Sequence, residues 1–159
     1  MNIRILAIGK LKESYWQAAV AEYSKRLSGY CNLEITELKE IPLRANPSAA
    51  DEEAVKEAEG RELLHKINKT DYVITLEING KSFSSVELAD RLERLAIDGK
   101  SNLVFVIGGS LGLSPDVSRR ADLKLSFGPM TFPHQMMRVI LLEQIYRSFK
   151  INHNEPYHK

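Results

Sequence analysis

The run NLVFVIGG at residues 102–109 leaves a folding chain little choice. Its apolar residues are consecutive and rich in β-branched side chains, and they stop at two glycines. A strand with one wet face would alternate apolar and polar residues. This one needs cover on both faces, as a central strand of a parallel sheet does. Three other segments also read as strands: IRILAI (3–8) ended by Gly9, DYVITLE (71–77) and the short DLKLSF (122–127). NLEITEL (32–38) presents Leu33, Ile35 and, after a slip, Leu38, which predicts a half-exposed strand near a sheet edge.

Helical periods fill the gaps. Tyr15, Trp16, Ala19, Val20, Tyr23 and Leu27 share one face of a helix over 14–27. A charged helix is expected from Asp51 to about Lys66, capped by Ser48 or Asp51. A third follows the Ser84-x-x-Glu87 capping box and ends at Gly99. Asn79-Gly80 reads as a tight turn before it. Ser114-Pro115 opens a short fourth helix. Strands alternating with helices predict an α/β fold, one domain over 1–159, with a mainly parallel sheet of about five strands.

Composition excludes several functions. A net charge of +1 argues against a protein that coats nucleic acid by bulk electrostatics, although charge is uneven. Residues 34–62 carry nine acids against four bases, and residues 101–159 carry seven bases against four acids. That polarity suits a local site for an anionic partner. The single cysteine, Cys31, leaves no internal disulfide and fits a reducing compartment. No apolar run is long enough to cross a bilayer, and the first ten residues read as a strand rather than a secretory leader. A cytoplasmic protein is expected. G-x-G-x-x-G, the P-loop and G-x-S-x-G are all missing, and no Cys/His pair has metal-ligand spacing, so no metal is expected. The segment GGSLGL (108–113) fits a plain tight turn as well as a ligand loop.

In parallel sheets ligands sit at the carboxyl ends of the strands. Those ends are Gly9, Leu76-Glu77, Gly108-Gly109 and Phe127-Gly128, and three of the four carry glycine. After the last of them comes SFGPMTFPHQMMRVILLEQIYRSFK, a stiff loop followed by a helix that is apolar over more than one stripe. One side is an apolar arc. The other mixes Met136, Met137, Ile140 and Leu141 with Gln144 and Arg147, which predicts burial of that side against a second copy of the chain.

Three segments together, FVIGGSLGL, LSFGPMTFPHQMMRVILLEQIYRSFKI and the terminal PYHK, closely resemble the RlmH family. These are SPOUT-class methyltransferases that methylate N3 of a pseudouridine in large-subunit (23S) ribosomal RNA. The opening ILAIGKLKESYW and EYSKRL look like the same family, so the resemblance spans essentially the whole chain. It implies a C-terminal deep trefoil knot and a homodimer paired through the final helix. It also implies S-adenosylmethionine bound by three loops: at Leu76, at Gly108 and Gly109, and at Phe127, Gly128, Pro129, Met130, Thr131 and Phe132. The resemblance places the tail, Tyr157 and His158, over the active site.

The chemistry expected is direct displacement, with N3 attacking the sulfonium methyl group, so that alignment is the protein's main task. The weakly acidic N3–H has to lose its proton. His158, or a water it orients, is the expected base, with Tyr157 positioning the substrate and Arg147 and Lys159 holding phosphate or a base carbonyl. Lys159 stands where some relatives have arginine. Arg119 and Arg120 are candidates for RNA contact or for a solvated helix face. The expected partner is the assembled ribosome, recognised by shape. Methylation of another RNA or base, or a non-catalytic ribosome-binding module, stays open at this point.

Overall fold

The computed structural model describes all residues, 1–159. In chain order the elements are β1 (Asn2–Ile8), α1 (Ser14–Leu27), β2 (Asn32–Leu38), α2 (Ala49–His65), β3 (Tyr72–Ser82), α3 (Ser85–Ile97), β4 (Asn102–Ile107), α4 (Pro115–Arg120), β5 (Leu123–Ser126) and α5 (His134–Asn152). The five strands are all parallel, in the order β2-β1-β4-β3-β5. β4 is central, as its unbroken apolar run requires, and the half-exposed β2 lies at an edge.

Alternation along the strands sorts the core into two layers. Ile3, Ile5 and Ala7 of β1, with Leu103, Phe105 and Ile107 of β4, face one side. There they meet Leu27 of α1, Leu88, Leu92 and Leu95 of α3, and Leu141, Leu142 and Ile145 of α5. Leu6, Ile8, Val104 and Val106 face the other side, against Leu63 of α2 and Val117 of α4. Both capping boxes form, and Ser48, not Asp51, is the cap of α2: its hydroxyl accepts from the Asp51 N–H while Asp51 accepts in return.

Two expectations change. Asn79-Gly80 is not a tight turn; both residues lie inside β3. The register between β3 and β5 shifts at Leu76/Lys81, so that both Leu76 and Lys81 pair with Leu125. Gly80 is there because a Cβ would sit 2.6 Å from the Lys124 carbonyl oxygen of the neighbouring strand. The bulge turns Glu77 and Ile78 outward at the carboxyl end of the sheet, and Ser126 Oγ holds the Ile78 carbonyl at 2.8 Å.

The sides of α5 also divide differently. Leu141, placed above on the second side, is fully buried with Leu142 and Ile145, and so is Arg138. Met136, Met137, Val139, Ile140 and Tyr146 remain half-exposed. α1 is barely covered: of its apolar face only Leu27 is buried, and Tyr15 is 63% exposed. These two helices pack on each other and leave an apolar strip that this chain does not fill.

Gly80→Ala is expected to cost about 1–3 kcal/mol, because β5 backbone has to move. Gly29→Ala, where a Cβ would meet nothing within 4 Å, is expected to stay within about 0.5 kcal/mol of the parent. Urea unfolding of both variants measures the difference.

Candidate active site

A cavity of about 800 Å3 opens at the carboxyl ends of β3, β4 and β5. Local sequence explains its walls. After β4 the chain turns back so tightly that a Cβ on Gly108 would lie 2.9 Å from Gly112 backbone, and Gly112 itself has φ +80°. Gly109 passes over Ile8 and the buried carboxylate of Glu59, each 3.1 Å from where its Cβ would be. After β5, Gly128 takes φ +107°, and its N–H donates to Ser126 Oγ, the same hydroxyl that anchors the β3 bulge. One serine therefore ties two of the three walls together.

The residues expected around a cofactor converge here. Leu76, Gly108, Gly109, Phe127, Gly128, Met130, Thr131 and Phe132 all line this one cavity; Pro129 belongs to the same loop without forming part of the wall. The main-chain groups of Met130, Thr131 and Phe132 make no hydrogen bond inside the protein, which leaves them available to a ligand. Met130 is 70% exposed, a large apolar side chain held at the mouth.

Only two ionisable side chains line the cavity, Glu77 and His134. Glu77 is committed: one carboxylate oxygen accepts from Thr75 Oγ1 at 2.6 Å and the other from Ser118 Oγ at 2.9 Å. His134 opens α5. Burial holds its imidazole below the ordinary histidine range, with a further push from the Arg138 charge and a smaller opposing pull from Glu40. No lysine or arginine lines the cavity.

One turn beyond His134, Arg138 is 1% exposed. Its guanidinium donates to Glu37 Oε1 at 2.8 Å and to the carbonyls of Ile8 and Gly9 at 3.1 and 2.7 Å. The same Glu37 oxygen accepts from the Leu11 N–H at 3.1 Å. Arg138 thus pins the first turn of α5 to the ends of β1 and β2. Sequence patterning passed over it because an arginine among apolar neighbours reads as exposed; its i,i+4 spacing from His134 was the available signal.

The tail residues form a second cluster, and they are not frayed. Arg147 pairs with Glu143 at 2.6 Å, its guanidinium carbon lies 4.7 Å from the Tyr157 ring centre, and its Nη1 is 3.2 Å from His158 Nδ1. The Tyr157 hydroxyl donates to Glu143 Oε1 at 3.2 Å, and its ring meets Tyr146 edge-on. Burial first, then Tyr23 and the Glu143 charge, push the Tyr157 phenol up to about 12, so it stays protonated at neutral pH. Lys150 and Tyr30 hold Glu155 just upstream. Glu143, which organises this cluster, was also unmarked in the sequence.

Arg147 lies thirteen residues beyond His134, about 20 Å along the helix axis. Within one chain, then, the tail does not reach the cavity. Lys159 is exposed at the end of the tail. Arg119 is exposed and pairs with Asp116. Arg120 is engaged at the amino ends of β3 and β5, away from the cavity, donating to the carbonyls of Asn68 and Asp71 at 3.1 and 2.9 Å and pairing with Asp122 at 3.2 Å.

A family model described as "Predicted SPOUT methyltransferase" matches residues 1–158. The chain is 57% identical over 159 residues to a protein of Clostridium novyi (strain NT) named "Ribosomal RNA large subunit methyltransferase H", with 100% of both covered. It is 55% identical to the protein of that name from Clostridioides difficile (strain 630), again over the full length of both. Among solved structures, a probable methylase family protein from Haemophilus influenzae Rd KW20 superposes with a TM-score of 0.52 at 16% identity. That match covers 99% of this chain and 70% of the other, and it shows a shared fold.

Arg138→Met is expected to cost about 2–3 kcal/mol, since it strands the two buried carbonyls of Ile8 and Gly9. Arg119→Ala, at a side chain 72% exposed, is expected to change stability by no more than about 0.5 kcal/mol. Thermal and urea melts of the two separate a structural arginine from a surface one.

Proposed function

The chain belongs to the SPOUT methyltransferase family, and on that premise we propose that it transfers the methyl group of S-adenosylmethionine to N3 of a pseudouridine in large-subunit (23S) ribosomal RNA. It acts as a homodimer, in the cytoplasm, on the assembled ribosome. The observation that carries this reading is the cavity, at which three strand ends meet and whose walls are glycine backbone and apolar side chains.

The residues present fit the methyl donor. Its adenine suits apolar walls with free main-chain donors and acceptors, which the loop from Phe127 to Phe132 supplies. Its sulfonium is a cation, and the cavity offers the Glu77 carboxylate and a neutral imidazole with no lysine or arginine to repel it. A dinucleotide or nucleotide phosphate would find no side-chain counter-ion here. Bound, the donor supplies an activated methyl group. The chain's own residues then have to exclude water, align the reactants and dispose of one proton. The C-terminal third carries two of the three walls and is the segment that would be knotted, with the loop after β5 drawn across to the end of β1, where Arg138 fixes it.

Homodimerisation accounts for two observations at once. The half-exposed strip of Trp16, Ala19, Val20 and Tyr23 on α1 with Met136, Val139 and Ile140 on α5 needs a partner surface. The tail cluster, remote from its own cavity, can serve the cavity of a second copy. In that arrangement Tyr157 and His158 position the target base, and Arg147 and Lys159 hold a phosphate or base carbonyl. A net charge of +1 gives little backbone affinity for RNA, so a folded ribosomal surface is a better substrate than a short strand.

Purified protein with tritiated S-adenosylmethionine is expected to label one pseudouridine, at N3, in ribosomes lacking the modification, and to leave naked ribosomal RNA unlabelled. Label elsewhere moves the reaction to another RNA or base, and failure to bind the donor leaves a non-catalytic module. Arg147→Ala is expected to lower turnover about 10–100-fold with donor affinity unchanged, as for a group that acts on the other substrate. Light scattering at micromolar concentration is expected to give twice the 18.0 kDa chain mass; the mass of one chain removes the dimer.

A further inference from the structure

Methylating an imide nitrogen requires a place for its proton, and the two histidines nearest the proposed chemistry are not equivalent. His158 Nδ1 is 3.2 Å from Arg147 Nη1, and a guanidinium can only donate. In that contact Nδ1 is the acceptor, so in the neutral ring the proton sits on Nε2. The free nitrogen of His158 is then a donor, suited to holding a base carbonyl and unsuited to taking a proton.

His134 has the opposite properties. It lines the cavity directly after the loop from Phe127 to Phe132, and neither ring nitrogen makes a hydrogen bond within the chain. The edge of its ring carrying Nε2 and Cδ2 lies against Gly9, with Nε2 3.2 Å from the position a Cβ on Gly9 would take. Gly9, at φ +89°, leaves that space empty for the imidazole. Glu40 Oε2 is 3.7 Å from the same point. Its charge favours the protonated imidazole, so a carboxylate is at hand to steady the ring once it has taken a proton.

We propose that His134 is the catalytic base of the reaction, taking the N3 proton of the target base on its imidazole as the methyl group is transferred. The proposal rests on the methyltransferase reading above. The N3–H bond breaks and its proton moves to His134. The electron pair on N3 forms the new N–CH3 bond. The S–CH3 bond breaks with its pair left on sulfur, so the sulfonium becomes a neutral thioether, and the imidazolium gives its proton to water after product leaves. Glu77, the other ionisable group of the wall, has both oxygens occupied by hydroxyl donors.

The charged groups around His134 set its working range. Arg138 lies one turn along α5, paired to Glu37 of β2; Glu40 approaches from the segment after β2; and Glu59 of α2 sits behind Gly109, beside Glu40. Burial and Arg138 together outweigh Glu40, so the ring is neutral at neutral pH and charges only below the usual histidine value of about 6.5. Activity is therefore expected to hold above that value and to fall as pH drops beneath it.

The test is single-turnover methylation of ribosomes lacking the modification, with saturating tritiated donor, between about pH 5.5 and 8.5. Wild type, His134→Gln, His134→Ala and His158→Gln are compared, with donor affinity measured by calorimetry. The His134 variants are expected to lose about 10²–10⁴-fold in rate while donor affinity stays within about threefold. Their acidic limb should vanish, and added imidazole should restore part of the alanine variant's rate, an effect a merely structural role would not give. His158→Gln should keep the limb. A His134 variant within about fivefold of wild type, or a limb that disappears with His158 instead, overturns the proposal. Should the variants fail to fold, the wild-type profile decides: a rate with no acidic limb down to the pH at which the fold itself is lost also overturns it. Wild type that labels nothing, or an atom other than N3, sinks the methyltransferase reading and this proposal together.

Discussion

A guanidinium with almost no contact with water organises the functional end of this molecule. Arg138 carries a full charge into a site 1% exposed, where burial works against that charge. Such a side chain persists only if each contact offsets desolvation, and three of its contacts are to groups on β1 and β2. Its Nε finds no partner, so the arrangement is not a minimum-cost solution for stability alone. What it achieves is placement. The first turn of α5 could slide against the sheet if it were held only by non-directional apolar contact. Fixed to two adjacent carbonyls of β1 and to Glu37, it holds His134 at the cavity wall and fixes the end of the loop from Phe127 to Phe132.

The cavity follows from the same preference for backbone over side chain. A ligand site built from lysines and aspartates could tolerate small shifts because long side chains adjust. In this one the missing Cβ positions of Gly108 and Gly109 fall against neighbouring atoms at 2.9 to 3.1 Å. The wall after β4 therefore cannot shift without moving what it is packed on. The Ser126 hydroxyl, shared between the Ile78 carbonyl and the Gly128 N–H, makes the bulge of β3 and the loop after β5 one mechanical unit. Rigid main-chain recognition of this kind lowers the ordering cost of binding and suits a cofactor that is the same in every turnover.

Most of the sheet was legible from the chain because its signals are local and additive. The unbroken apolar run of β4, the edge pattern of β2 and the Ser84-x-x-Glu87 capping box each depend on a few neighbouring residues, and each held. The strand ends pointed to the cavity for the same reason. What failed was non-local. Asn79-Gly80 has the composition of a turn, yet a carbonyl of β5 demands a residue without Cβ there and the strand continues. Leu141 was misplaced, and the burial of Arg138 passed over, because the face a helix buries depends on its neighbours, and α5 crosses over the ends of β1 and β2 as well as its own layer. The tail was read from family resemblance as an active-site cover. Nothing in a single chain brings it there, and on the proposed reading a second copy would have to.

The charge distribution constrains how RNA is chosen. Two basic groups beside the tail are engaged: Arg147 is held by Glu143 and Lys150 by Glu155. On the proposed reading, a phosphate arriving at Arg147 displaces one anion in favour of another. That exchange gains little net electrostatic energy near a protein surface, and salt weakens it further. Binding energy must then come from area and from shape. An unfolded strand would lose much of it to ordering its own backbone, whereas a folded ribosomal surface has already met that cost. On that reading, pairing Arg147 and Lys150 internally would weaken the grip of this cluster on RNA in general and leave discrimination to shape. Replacing Glu143 by a neutral residue frees Arg147 and would raise affinity for any RNA, at the expense of the Tyr157 and His158 geometry that the same carboxylate maintains.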